Sequence, residues 1–249
     1  MAHTNVDQAD VFEDAARLAS QKGLVRFTRF LDPAQAIQAE QIARAHCAGF
    51  SVWGGYGHAE RVVGCFYPEG ENVLVDEYPV VCLHARFNSK FNSITHRDLL
   101  GAFMALGLTR ACIGDIIISD TDVYLFSSAQ TADFVSSALT SAGKVSLDFS
   151  VLDEVPEMPQ PEGTVFSAVV SSLRLDAVLA AAYKLSRSEA AESIRAGLVK
   201  VDHMPCERVD CQLKEGTLMS LRGKGRVRLN SVNGMTRKQR IGISLFRYE

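Results

Sequence analysis

The sequence lacks the features that would place the chain in a membrane or outside the cell. It has no run of 18 or more apolar residues, so it contains no candidate membrane span. Its start, MAHTNVDQADVFEDAARLA, carries early acidic residues and no apolar core, unlike a secretory signal. The six cysteines form no C-x-x-C pair, and five lie among apolar neighbours, which is typical of reduced, buried thiols. We expect a cytoplasmic protein with no membrane partner.

Signatures of catalysis and metal binding are also missing. The sequence has no P-loop, no Gly-x-Ser-x-Gly, no His-Glu-x-x-His and no dinucleotide fingerprint. Cys206 and Cys211 lie near His203, but no second ligand pair accompanies them. The stretch from His96 to Leu99 spells part of a kinase catalytic loop, although Phe103 stands where the loop needs Asn, and a helix cap explains it better. We expect no catalytic residue, no metal and no cofactor.

Charge is distributed unevenly along the chain. Residues after Val170 carry 15 Lys+Arg against 8 Asp+Glu, whereas residues 1–170 carry 11 against 21. A chain of 249 residues with net charge −3 therefore ends in a segment of charge +7. This asymmetry favours a polyanionic partner for the C-terminal part, and nucleic acid is the commonest one.

The basic segment has a clear local pattern. Apolar spacing predicts a helix over Leu173–Tyr183, and Ser186-Arg-Ser-Glu189 is a capping box that begins a second helix, which Gly197 ends. Short strands are predicted over 198–202, 217–222 and 226–229, the last two joined by a tight glycine turn. The pattern indicates two helices followed by a small twisted sheet.

The basic side chains of this segment can share surfaces. Arg187 and Arg195 are eight residues apart and can face one side of a helix, while Arg226 and Arg228 share one face of their strand. Fixed cations of this kind suit RNA phosphates, and arginine also stacks on exposed bases. The predicted RNA-binding residues are Arg174, Lys184, Ser186, Arg187, Arg195, Lys200, Arg222, Lys224, Arg226 and Arg228.

Three blocks of this segment, SLRLD at 172–176, LSR at 185–187 and IRAGLVKV at 194–201, resemble the S4 RNA-binding domain, the αL-motif domain. The resemblance implies that the first helices and the adjoining turn bind structured RNA through Arg174, Lys184, Ser186, Arg187, Arg195 and Lys200. Where the family has Val-Asn-Gly this chain has Val201-Asp202-His203, so we expect no phosphate contact at Asp202. Leu173-Arg-Leu-Asp176 also resembles a pseudouridine synthase motif, but inside this helix Asp176 is better placed to orient Arg174.

The preceding part of the chain predicts two further domains, which gives an α+β protein. Residues 1–78 read as an N-terminal α/β domain with helices at 8–22 and 34–48. Residues 79–170 follow the order β-α-β-β-α-β of a ferredoxin-like, RRM-like domain, with an exposed Pro-rich connector at 153–163 and a last strand at 164–170. Residues 171–249 form the S4 domain, which ends in a strand after a turn-rich stretch at 230–239.

Blocks across nearly the whole chain resemble the bacterial YlmH family, a group of S4-domain RNA-binding proteins. They are GGYGHAER at 54–61, HRDLLGAFMALG at 96–107, IGDI at 113–116 and RGKGR at 222–226. The resemblance implies a non-enzymatic factor of ribosome-associated quality control that binds ribosomal RNA and tRNA on a stalled large ribosomal subunit; no DNA binding is expected. Two alternatives stay open: an RNA-modifying enzyme that uses the S4 domain to deliver substrate, and an adaptor whose acidic front half binds a protein.

Overall fold

A computed structural model describes residues 8–88, 93–160, 162–235 and 239–248. The chain divides into two compact units, residues 1–158 and residues 159–249. Both units combine α-helices with antiparallel sheets, which confirms the α+β class. Within the described ranges, no helix is long and apolar enough to cross a membrane.

The first unit begins with two helices and a small sheet. These elements are α1 (Gln8–Lys22), β1 (Arg26–Leu31), α2 (Pro33–Ala45), β2 (Ala48–Trp53) and β3 (Val62–Pro68). The three strands pair in the order β1-β3-β2, all antiparallel. The predicted helix at 8–22 is confirmed. The second helix ends at Ala45 rather than residue 48, because Cys47 has a φ of 53° and Ala48 already belongs to β2.

The rest of the first unit follows the predicted β-α-β-β-α-β order. Its elements are β4 (Val80–Arg86), α3 (His96–Ala105), β5 (Ile113–Ile118), β6 (Asp122–Ser128), α4 (Ala129–Ala138), β7 (Ser141–Ala142), β8 (Val145–Ser146) and β9 (Ser150–Val151). The main sheet has the strand order β5-β6-β4-β9. In this order the first strand lies between the third and the fourth, as in a ferredoxin-like arrangement. Helix α3 begins at the expected capping box of Thr95 and Asp98.

Two details of this region differ from what the sequence predicts. Alternation over residues 144–152 predicts one strand, but it is divided: β8 pairs with β7 in a two-stranded hairpin, and only β9 pairs with β4. Gly143 predicts the end of a helix over residues 129–141, but α4 already ends at Ala138, and Gly143, with a φ of 59°, lies in the turn between β7 and β8. The separation arises because Val145 is buried in the α3–α4 core, to which the hairpin belongs.

The two sheets of the first unit share one hydrophobic cluster. Phe30 and Val63 from the small sheet pack with Cys82 and Phe126 from the ferredoxin-like sheet. Met158, inside the predicted connector, is 5% exposed and belongs to the same cluster, so this part of the connector is packed rather than exposed. The predicted boundary at 78/79 therefore separates two sheets that form one compact unit.

The segment from Gly54 to Arg61 joins these two sheets through Asp115 of β5. The Asp115 carboxylate accepts hydrogen bonds from the Tyr56 hydroxyl (2.8 Å) and from the backbone N–H groups of Glu60 (2.7 Å) and Arg61 (3.1 Å). At Gly55, which has a φ of 99°, a side chain would meet the Phe126 ring at 2.3 Å. The glycine-rich segment is therefore a structural turn, as the missing P-loop residues predict.

The second unit places two helices against one six-stranded sheet. Its elements are β10 (Gly163–Val170), α5 (Leu175–Tyr183), α6 (Arg187–Arg195), β11 (Val199–Val201), β12 (Met204–Pro205), β13 (Leu218–Leu221), β14 (Gly225–Met235) and β15 (Ile241–Tyr248). The strands pair antiparallel in the order β10-β15-β14-β13-β11-β12. Helices α5 and α6 cover one face through a shared core that includes Val178, Ile194, Val227 and Leu229.

Two strand assignments in this unit differ from the sequence prediction. Strand β10 was expected to close the middle domain, but it pairs with β15 from Gly163↔Tyr248 to Val170↔Ile241 and belongs to the C-terminal sheet. The stretch predicted as turn-rich from Asn230 onward continues β14 to Met235, because bulges let it stay paired with β15. Residues 236–238 of the predicted turn-rich stretch, which include Arg237 and Lys238, lie outside the described residues.

Gly197 ends α6 with a φ of 68°, as the sequence predicts. Replacing Gly197 by Ala should destabilise the second unit by about 1 kcal/mol, because an L side chain is strained in the left-handed region. Gly242→Ala in β15 is the matched control, since Gly242 has no positive φ and its new Cβ would meet Asn233 at an ordinary 3.6 Å. Hydrogen exchange of α6 and β11 amides measures both effects. Equal protection in the two variants would contradict the prediction.

Candidate nucleic-acid interface

A buried carboxylate lies between two arginine side chains at the start of α5. Asp176 is 7% exposed, and its carboxylate accepts hydrogen bonds from Arg174 Nε (3.3 Å) and Arg187 Nη2 (2.5 Å). The side chains of Arg174 and Arg187 remain 40% and 52% exposed. Asp176 therefore orients Arg174, as the sequence indicates, and fixes Arg187 at the same time.

The ionisation of Asp176 follows from these contacts. Burial by itself would raise the pKa of Asp176, but hydrogen bonds from Arg187 and Arg174 outweigh burial, and the pKa lies below its ordinary value. The carboxylate is therefore charged at neutral pH. Two arginines against one carboxylate leave the cluster with a net positive charge at the surface.

The turn between α5 and α6 carries the next predicted residues. Lys184 ends α5 in the left-handed conformation (φ 54°, ψ 47°), and its side chain is exposed. Ser186 caps α6: its hydroxyl accepts from the Glu189 N–H, and the Glu189 carboxylate accepts from the Ser186 N–H at 2.7 Å. These bonds, together with nearby Lys224, hold the pKa of Glu189 below its ordinary value. Ser186 therefore has a structural role as the helix cap, and this role explains its presence without an RNA contact.

Two exposed arginines lie near the other end of α6. Arg195 is its last helical residue, and the backbone N–H of Arg222 donates to the carbonyl of Leu198 just beyond it at 3.0 Å. Neither side chain makes an ion pair with the residues that the structure describes. We call the set around the helices the helix-side surface. It consists of Arg174, Lys184, Arg187, Arg195, Arg222 and Lys224.

The remaining predicted cations lie on the opposite face of the sheet. Val227 and Leu229 of β14 are buried beneath the helices, so Arg226 and Arg228 alternate onto the other face, as predicted. Lys200 joins them, because β-pairing aligns it with Ser220 and Ser220 with Arg226. The structure thus divides the nine predicted cations between two surfaces, and the tenth predicted residue, Ser186, caps α6.

The sequence prediction missed an aromatic partner on this sheet face. The guanidinium groups of Arg226 and Arg228 lie 4.9 Å and 5.4 Å from the ring centroid of Tyr248, which contacts Phe246 edge-on. The alternation of Ile243 and Leu245 with Phe246 and Tyr248 in β15 was the available signal. We call Lys200, Arg226, Arg228 and Tyr248 the sheet-face cluster.

The ferredoxin-like sheet does not offer a second open face of this kind. RRM domains stack bases on exposed sheet aromatics, but here Phe126 and Cys82 are covered by the small N-terminal sheet. Beside them His84 stacks on Tyr124, with ring centroids 5.0 Å apart, and contacts Asp122 at 2.7 Å. Hydrogen bonds from His84 and Thr121 lower the pKa of Asp122 to about 2. His84 and Tyr124 thus already have intramolecular partners, and Phe126 is buried.

The described residues contain no group of three or more His, Cys, Asp or Glu side chains that could hold a metal ion. Cys206 and Cys211 lie close enough to raise the pKa of Cys211 beyond the effect of its burial, but His203 does not complete a ligand set with them.

The fold and its cationic surfaces are those of an S4-type RNA-binding protein. The S4 domain family matches residues 173–218, and the family described as "Putative RNA-binding domain in YlmH" matches residues 74–154. The chain is 34% identical over 232 residues to "Ribosome-associated protein quality control protein P2" of Bacillus subtilis (strain 168), an alignment that covers 93% of this chain and 90% of the relative. The chain therefore belongs to the YlmH family of S4-domain proteins.

A solved structure supports the fold. "Cell division protein ylmH from Streptococcus pneumoniae" superposes with a TM-score of 0.51 at 18% identity. The superposition covers 61% of this chain and 93% of the other. At this identity the likeness concerns the architecture alone.

The Asp176 cluster makes the stability of the second unit depend on pH. Asp176→Asn should cost about 2 kcal/mol at pH 7, because it removes a buried charge that two arginines bind. Because the folded pKa is depressed, this stabilisation is complete above the unfolded pKa of about 4 and is lost as the pH falls through the folded value. Urea unfolding of wild type and variant between pH 7 and pH 2.5, followed by circular dichroism, should show the difference shrinking in acid.

Asp210→Asn provides the control for this series. Asp210 is 58% exposed and lies 3.7 Å from Arg208, so its removal should change stability by only a few tenths of a kcal/mol. A difference between wild type and Asp176→Asn that stays constant down to pH 2.5 would show that the Asp176 charge is not the stabilising feature.

Proposed function

We propose that this chain is a non-enzymatic RNA-binding factor of the cytoplasm that binds ribosomal RNA and tRNA on a stalled large ribosomal subunit. The helix-side surface carries the proposal: six cations surround two short helices, and a buried carboxylate fixes two of them. The name of the Bacillus subtilis relative supports a role in ribosome-associated quality control.

The fixed geometry favours folded RNA over a flexible polyanion. Arg174 and Arg187 lose little additional conformational entropy on binding, because Asp176 already fixes both guanidinium groups. Their exposed donors suit phosphate oxygens, which position a protein on an RNA without reading its sequence. Lys184 at the end of α5, Lys224 in the turn between β13 and β14, and Arg195 with Arg222 near the end of α6 add to this positive surface.

Several reactive groups have environments opposite to those of catalytic residues. Burial raises the pKa of the Cys65 and Cys82 thiols to about 12, whereas a nucleophilic cysteine needs a lowered pKa. Asp176, which occupies the position of the pseudouridine synthase motif, is bound by two arginines rather than open to a substrate. These observations support a binding role over a modifying one.

RNA binding should depend on the helix-side surface and on salt. Arg195→Ala should weaken binding to structured RNA several-fold at low salt and reduce the slope of log K against log salt by roughly 0.9, since it removes one phosphate contact. Arg208→Ala is the matched control, because Arg208 is an exposed arginine of the same unit outside the proposed surface. Fluorescence anisotropy over a salt series with a tRNA probe measures both. Equal losses of RNA affinity in the two variants would show that the helix-side surface is not the RNA interface.

The same assay compares the two faces of the sheet. A double variant, Arg226→Ala with Arg228→Ala, removes the cations that lie over Tyr248. We expect a smaller loss of tRNA affinity than for Arg187→Ala with Arg195→Ala. A larger loss for the sheet-face pair would move the RNA interface to the sheet-face cluster.

Cell experiments test the ribosomal assignment and the absence of catalysis. The protein should sediment with free large subunits rather than with intact ribosomes in a sucrose gradient, and the Arg187→Ala, Arg195→Ala variant should shift to the top fractions. Mass analysis of ribosomal RNA from cells without the protein should show every modification intact. A missing modification would instead support the RNA-modifying enzyme.

A further inference from the structure

The first unit contains a cavity that the proposed RNA interface does not use. Its volume is about 730 Å³, and it lies between β1, the starts of α1 and α2, and the turn at 109–111. A second cavity of about 450 Å³ shares the β1 segment from Phe27 to Phe30 and the turn residues Thr109 and Ala111. The larger cavity alone has the volume of a site for a nucleotide-sized ligand.

Three arginines line the larger cavity: Arg29, Arg61 and Arg110. Residues 1–158 hold only 11 Lys+Arg against 20 Asp+Glu, so three of the eleven cations of an acidic unit converge on one cavity. Such a local reversal of charge marks a site that attracts anions.

The nearby carboxylates offset the charge of these arginines only in part. Asp32 lines the cavity, but it also caps α2 by accepting from the Gln35 N–H at 2.9 Å. Asp115 is bound by Tyr56 and by backbone N–H groups. Arg61 donates to three backbone carbonyls; burial and the charge of Arg110 lower its pKa, and the charges of Asp32 and Asp115 counter this effect without reversing it.

The side chain of Arg110 has a nitrogen that lacks an acceptor. Its Nη1 is buried and has no hydrogen-bond partner among the described residues, while its backbone carbonyl accepts from Arg61 Nη2 at 2.9 Å. A buried guanidinium nitrogen without an acceptor is costly, and a water molecule or an anion is the kind of group that satisfies it.

The wall of the cavity adds an aromatic surface to these cations. Phe12, Phe27 and Phe30 line it, and Phe27 remains 37% exposed. Phe12 and Phe30 are each only 2% exposed, so a ligand that combines negative charge with a planar ring can place its anion against the arginines and its ring against Phe27.

We propose that this cavity binds the phosphate and base of a nucleotide, either as a free mononucleotide or as the terminal nucleotide of an RNA strand. Arg29 and Arg110 bind the phosphate, Arg61 holds the turn that presents Arg110, and Phe27 packs on the base. The site belongs entirely to the first unit and does not depend on the S4 domain.

Isothermal titration of the full chain with AMP, GMP, CMP and UMP, and with a 5′-phosphorylated tetraribonucleotide, tests the site. We expect saturable binding at one site for at least one probe. Arg29→Ala and Arg110→Ala should each weaken it about tenfold or more, because each removes a charge-assisted hydrogen bond. A tighter mononucleotide identifies the free ligand, and a tighter tetranucleotide identifies an RNA end.

Two matched variants remove arginines outside the proposed sites. Arg26→Ala, on the same strand but outside the cavity, and Arg208→Ala, an exposed arginine of the second unit outside the helix-side surface, should each bind within about twofold of wild type. Circular dichroism verifies folding, and Arg29, an exposed strand residue, decides the outcome if Arg110→Ala does not fold. No saturable binding of any probe by wild type, or equal binding by Arg29→Ala and Arg26→Ala, would overturn the proposal.

Discussion

The contact of the buried Asp176 carboxylate with Arg174 and Arg187 is the interaction on which the second unit depends. It joins the residue preceding α5 to the first residue of α6, so it fixes the relative position of two helices that are only nine residues long each. Helices of this length have little stability of their own, and they persist because they pack on the sheet through residues such as Val178 and Ile194. A single acidic side chain thus serves both the packing of the helices and the presentation of two surface cations.

The division of the chain into two units separates two kinds of charge. The acidic first unit shields sheet aromatics in an internal core and places three of its eleven cations at one cavity, whereas the basic second unit displays cations on both faces of one sheet. For a protein of the YlmH family this means that non-specific attraction to RNA is concentrated in residues 159–249. The acidic unit repels phosphates over most of its surface, which favours a defined orientation on a polyanionic target.

Much of the fold could be predicted from local signals. Capping boxes at Thr95 and Ser186, and Gly197 after α6, fixed helix ends that the structure confirms. Non-local pairing could not be predicted: β10 follows a Pro-rich stretch, yet its partner is the last strand of the chain. The candidate site could also be predicted only in part. Its basic residues were visible in the sequence, but their division between two faces depends on which side of β14 the helices cover. The Arg110 nitrogen and the cavity around it arise from chain segments far apart in sequence, so no local pattern announces them.

The pairing of β10 with β15 also bears on how the second unit assembles. The sheet cannot be completed until the chain has been synthesised to Tyr248, because Gly163 pairs with that residue and Val170 pairs with Ile241. The helices and β11–β13 can form earlier from contacts that are close in sequence, while the outer strand waits for a partner more than seventy residues away. During that interval β10 lacks its partner strand, and an unpaired edge that carries Val165 and Val169 favours aggregation until residues 241–248 have been synthesised.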